Sequence, residues 1–187
     1  SVTGVQTCAL PIYEIIPMAS IEQAIADLPS GAHVSVTCSP AKGITATQEY
    51  TERLVAAGYT VVPHLAARMV ESVDHAVELA AWTRGLGLAE VYVIAGDAPE
   101  PAGPYEGAVA FLRDFLTAGP GVVRVGYAGY PDGHALVDQD VVDEQVLLKQ
   151  ALLLDAGLGG WISTQMCFDE HTIRSWIERG RERGVTM

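Results

Sequence analysis

The sequence predicts an α/β protein, a parallel sheet of strand–helix repeats curved as a (β/α)8 TIM barrel that is incomplete in this chain. Three observations predict it. Short runs rich in β-branched and aromatic residues alternate strictly with longer amphipathic segments. Strand starts recur roughly every 20–40 residues, the spacing that right-handed βαβ crossovers need. No strand is followed by a G-x-G-x-x-G or a P-loop opening a helix, so the phosphate-binding turn of an open doubly wound sheet is missing and the barrel is favoured. Gly85-Leu86-Gly87 has the glycines, but they end a helix and precede a strand.

Taken in order, Tyr13–Pro17 (YEIIP) is a short extended run ended by its proline. Ser20 is placed to N-cap an amphipathic helix over Ile21–Leu28, which Pro29-Ser30-Gly31 breaks. His33–Thr37 (HVSVT) is the second strand. Thr45 or Thr47 starts a helix through Val55, closed by Gly58. Thr60–His64 (TVVPH) is the third strand, and Ser72 caps a long helix to Trp82 and Arg84. Val91–Ala95 reads as a fully buried strand that stops at Gly96-Asp97.

Tyr105–Leu116 is the next helix and Val122–Ala128 (VVRVGYA) the fifth strand. An apolar helix follows over Asp143–Ala156, then a sixth strand, Trp161–Gln165 (WISTQ). Asp169 or Thr172 opens the last helix. Its basic end, Arg179 to Arg183, complements the helix dipole and reads as a solvated terminus rather than a nucleic-acid patch. Val185–Met187 reads as the opening of a seventh strand.

Two domain-level segments follow. Val2–Ile12 (VTGVQTCALPI) matches the translation of a sequencing-library adapter, so residues 1–12 are read as a disordered artefact and 13–187 as a partial barrel. The chain therefore reads as a fragment cut at both ends. Open sheet edges are expected to make it unstable or aggregation-prone in isolation.

Composition narrows the function. At 187 residues, 49% apolar and 18% charged, the chain is long enough for a substantial core and too apolar for wholesale disorder. A net charge of −12 disfavours nucleic acid or an anionic membrane as partner, while leaving room for an anionic small molecule at a local positive site. No apolar run reaches the ~18 residues of a membrane span. Three scattered cysteines form neither a disulfide framework nor a zinc pattern, which points to a reducing cytoplasm.

The strand ends carry the chemistry. Glu14, Thr37, His64, Asp97, Tyr130 with His134, and Gln165 stand where successive strands finish, the end at which barrel active sites collect. Glu14 lies between apolar neighbours, which suits a general acid; the alternative is an exposed edge residue. Asp97 follows Gly96, which lets backbone approach a ligand closely; the alternative is a turn cap. Gln165 is an amide able to read the edge of a heterocycle, or a satisfied buried amide. Met166 and Phe168 read as wall or core. His64 and His134 with Cys38 and Cys167 match no metal spacing. Ser35 and Ser39 lack His and Asp companions at recognisable motif positions, so a serine hydrolase is disfavoured.

The ordered set YEIIP, SVT, PHLAAR, VIAGDAP, AGYPDGH, DAG and TQMCFD resembles the methylenetetrahydrofolate reductase family from Tyr13 to Met187. The resemblance implies a (β/α)8 barrel that reduces 5,10-methylenetetrahydrofolate to 5-methyltetrahydrofolate with NAD(P)H, usually through FAD. It implies Glu14 as general acid, and Asp97 as the carboxylate beside flavin and pterin. Gln165 and Phe168 would meet the substrate. Thr37, His64, Gly96, Tyr130 and His134 would line the flavin site. Three departures fall on that side: Ala95 stands where the family has arginine, CSPAKG replaces a glycine-rich run, and Leu153 stands where a lysine is expected, with Lys149 nearby but off register. They resemble the flavin-independent branch, in which hydride passes directly from the nicotinamide. The alternatives are a non-catalytic folate-binding or methyltransferase-accessory barrel, and another one-carbon barrel enzyme such as a folate-dependent methyltransferase.

Overall fold

A computed structural model describes residues 12–18, 21–135 and 137–187. Residues 1–11 of the adapter-like stretch and the cap expected from Ser20 lie outside them, whereas Ile12 begins the first strand. Six strands and six α-helices alternate among the described residues: β1 Ile12–Ile15, α1 Ile21–Ala26, β2 His33–Val36, α2 Gly43–Ala56, β3 Thr60–Ala66, α3 Val73–Gly85, β4 Glu90–Ile94, α4 Ala108–Thr117, β5 Arg124–Gly129, α5 Gln139–Asp155, β6 Gly159–Thr164 and α6 Glu170–Glu182. A single 3-10 turn over Ala67–Met69 follows β3.

Every strand pair is parallel and the spatial order is the chain order, β1 to β6. The result is a parallel half-barrel of alternating βα units.

Side-chain alternation gives the sheet its two faces. Val34 and Val36, Val61 and Leu65, Val91 and Val93, and Val125 and Tyr127 share one parity and are buried. They belong to two apolar clusters that also contain helix residues. The smaller gathers Ile15, Val34, Val36 and Val61 with Ile21 of α1 and Leu54 of α2. The larger holds β3, β4 and β5 residues with Ala76 and Leu79 of α3, Phe111 and Phe115 of α4, and Leu153 of α5. The opposite parity carries Glu14, Ser35, His64, Tyr92, Gly126 and Trp161 on the concave inner face, as the strand registers align them.

The expected caps of α3 and α6 form: Ser72 Oγ accepts from the His75 N–H, and Asp169 accepts from the His171 N–H. Some boundaries differ. The fourth helix begins at Ala108, not Tyr105, because the Tyr105 side chain is buried and its hydroxyl donates to Asp114 Oδ2 at 2.7 Å. The fifth begins at Gln139 rather than Asp143; Gln139 Nε2 donates to Asp143 Oδ1 at 2.7 Å across the added turn. The seventh strand expected at Val185 does not form. Instead the Gln150 side chain on α5 takes the segment: Oε1 accepts from the Thr186 N–H at 2.7 Å, and Nε2 donates to the Gly184 carbonyl at 2.8 Å.

Candidate functional site

The inner face is organised around a buried pair. Ser35 Oγ of β2 and His64 Nε2 of β3 are 2.7 Å apart. The His64 ring lies against Tyr92 of β4, centroids 4.6 Å apart and tilted 32°, and Tyr92 in turn faces Trp161 of β6 at 6.2 Å. Burial pushes His64 down to about 4, so its ring is neutral at physiological pH. Burial likewise pushes Tyr92 up to about 12, an effect opposed by Ser163 and reinforced by the charges of Tyr130 and Glu14. The floor of the half-barrel is thus uncharged, yet rich in hydrogen-bonding atoms.

Of the sequence-predicted residues, His64 belongs to this floor, and Glu14 and Tyr130 are near enough for their charges to act on Tyr92. Glu14 is exposed: its neighbours Tyr13 and Ile15 point to the other face of the strand, so the apolar setting expected from their adjacency does not form. The Thr37 main chain is tied on both sides, its N–H donating to Ile15 O and its carbonyl accepting from Thr47 Oγ1, both at 3.0 Å. Its own Oγ1 is buried with no hydrogen-bond partner among the described residues, an atom left for a ligand to satisfy.

Gly96 has φ 90°, and a Cβ built there would lie 2.9 Å from Ala66 Cβ. The glycine is therefore required by the end of β3, independently of any ligand. Asp97 is exposed, and its charge raises the Tyr130 hydroxyl, whose first cause of elevation is burial. Tyr130 packs edge-on against His134, ring centroids 4.9 Å apart. The Gln165 N–H donates to Gly129 O at 2.8 Å while its side chain is exposed. Met166 and Phe168, expected as wall or core, are 74% and 91% exposed, because the chain leaves β6 at Thr164 and carries them into a loop.

A cavity of about 560 Å³ opens between α4 and α5 beside the ends of β4 and β5. Ala95, Tyr130 and His134 line it, as do Arg113 and Lys149. Lys149 is buried, its Nζ 4.8 Å from the centre of the Tyr127 ring, and burial pushes it down to about 8. Leu153 lies one turn further along the same side of α5 and is fully buried. The lysine that seemed off register in the sequence thus reaches the cavity from the same helix face.

Among the described residues no group of three or more His, Cys, Asp or Glu could hold a metal ion. No helix among them is long and apolar enough to cross a membrane. Tyr92 and Trp161 were not singled out as site residues by sequence reasoning, and Ser35, set aside there for want of a His companion at a motif position, is paired by the fold with His64; alternation in HVSVT and VYVIA already places Ser35 and Tyr92 on the polar-facing parity. No protein-family model matches the chain.

Proposed function

We propose that this protein reduces 5,10-methylenetetrahydrofolate to 5-methyltetrahydrofolate with NAD(P)H, in the cytoplasm. The observation that carries the reading is the set of Glu14, an exposed carboxylate on β1, a neutral inner floor, and Asp97, Tyr130 and Gln165 in the segments that leave β4, β5 and β6 of the same parallel sheet. The reaction needs a proton at a ring nitrogen, a cation held briefly at the methylene carbon, and a hydride delivered to that carbon from a site poor in competing acids.

In this reading Glu14 donates the proton that opens the imidazolidine ring to the iminium. Asp97 lies beside the pterin and stabilises the positive charge that develops. Gln165 pairs with the edge of the pterin, and Phe168 stacks upon it. His64 and Tyr92 stay neutral, so they orient the bound rings without protonating them. The hydride and the proton both end on the folate, and the nicotinamide leaves oxidised.

The cavity beside β4 suits a dinucleotide in chemical kind: Arg113 and Lys149 are cations for phosphates, and its remaining wall is largely apolar. A bound flavin would supply two-electron transfer between nicotinamide and folate. Ala95 argues for direct transfer instead, whereas Lys149 supplies the cation that Leu153 lacks, and the visible spectrum of the purified protein separates the two: a stoichiometric flavin band refutes direct transfer.

Glu14→Gln tests the acid. Folate reduction is expected to fall by about a hundredfold or more, the typical share of a positioned general acid. A rate close to that of the unaltered protein would show that Glu14 is not the proton donor.

A further inference from the structure

Arg68 lies in the 3-10 turn after β3 and binds the loop that follows β4 at six points. Its Nε donates to Ala98 O and its Nη2 to Pro99 O, each at 2.8 Å. Its Nη1 donates to Glu106 O at 3.1 Å and to Glu106 Oε2 at 2.8 Å. The Arg68 main chain adds two more bonds, its N–H to Ala95 O at 2.9 Å and its carbonyl from the Ala102 N–H at 2.8 Å.

The loop has no helix or strand of its own between Ile94 and Ala108. Its carbonyls would otherwise be met only by water. Asp97 stands near its start and Glu106, on the rim of the cavity, near its end. The ion pair is the smaller part of the tether, because the Glu106 side chain is 80% exposed and such pairs contribute little. The three carbonyl contacts come from an Arg side chain only 19% exposed, and their fork geometry is one a lysine ammonium cannot reproduce.

We propose that Arg68 is a positioning residue: by holding the carbonyls of Ala98, Pro99 and Glu106 it fixes Asp97 and the cavity rim in a single mutual arrangement. Its catalytic consequence rests on the reductase reading above; its structural consequence does not.

Arg68→Ala and Arg68→Lys in the full-length protein test it through kinetics, amide hydrogen exchange over residues 96–107, and the titration of Tyr130, which senses Asp97. Both variants are expected to lose about tenfold to a hundredfold in kcat, the scale of a small misplacement of a reacting group. Exchange should quicken in that loop and the Tyr130 midpoint should fall. Millimolar guanidinium should restore part of the kcat of Arg68→Ala but not of Arg68→Lys, whose ammonium fills the space. Unchanged kcat in both variants overturns the proposal, whether or not exchange quickens. If the unaltered protein reduces no methylenetetrahydrofolate, the reductase reading fails by itself. The exchange and Tyr130 results then decide the positioning role, and no change in either overturns it.

Discussion

Ser35 Oγ and His64 Nε2 meet at 2.7 Å from adjacent strands, and both side chains are buried. The pair fixes which way the imidazole edge faces, and burial keeps that ring neutral down to about pH 4. An unfolded chain takes up the His64 proton near pH 6.5, so between those values it binds more protons than the folded chain. The stability this histidine supports is present above about pH 6.5 and is lost as pH falls through about 4. Its full size is about 3 kcal/mol. Urea unfolding at pH 7 and pH 5 should show the loss, and His64→Gln, which keeps a polar partner for Ser35 but does not titrate, should flatten the slope. Equal slopes in the two proteins would contradict the assignment.

Lys149 carries the same kind of cost in a higher pH range. Its ammonium is buried against Tyr127 with no carboxylate paired to it among the described residues. The folded-state value of about 8 lies below the ordinary lysine value, so folding opposes protonation at neutral pH. Lys149→Met is expected to raise stability at pH 7 by about 1–3 kcal/mol. The advantage should shrink as pH rises from about 8 to about 10.5, as the unfolded chain in its turn gives up the proton whose binding had favoured it. A variant less stable at pH 7 would mean that the amine has a partner worth more than its burial.

Gly96 is constrained twice, by φ 90° and by the Ala66 side chain 2.9 Å from where a Cβ would sit. Gly96→Ala should destabilise the protein by about 1–3 kcal/mol, the cost of a strained backbone position plus a crowded contact. Adding Ala66→Gly removes the contact and leaves the backbone cost, so the double variant should recover only part of the loss. Complete recovery in the melting temperature would show that φ at this position carries no penalty.

Much of this arrangement was legible in the sequence. YEIIP, HVSVT, TVVPH, VYVIA, VVRVGYA and WISTQ all overlap observed strands, because buried parallel strands are short β-branched runs between helices. Boundaries slipped where a side chain acted across a loop: Tyr105 looked like the first turn of a helix but is buried ahead of it, bonded to Asp114. The strand-end residues were legible as positions. Their surroundings were not, since Ser35 meets His64 across 29 residues of chain and Arg68 meets Glu106 across 38. Contacts of that span depend on strand register and loop path, which local pattern does not encode. Glu14 shows the same limit from the other side: apolar neighbours in sequence became residues of the opposite face once the strand formed.

The sheet is continuous, but the apolar body behind it is divided. Ile15, Val34, Val36 and Val61 belong to the smaller cluster, while the strands from β4 onward rest on the larger one. Glu14 stands over the first body; Asp97, Tyr130 and Gln165 stand over the second. Cooperative units of different size open with different free energies. The two bodies meet at a seam along β3, whose Val61 belongs to the smaller and whose Leu65 and Ala66 belong to the larger, so the spacing between Glu14 and the other strand-end groups is set there. Ser35 and His64 are the polar stitch across that seam, facing the side where the chemistry would take place.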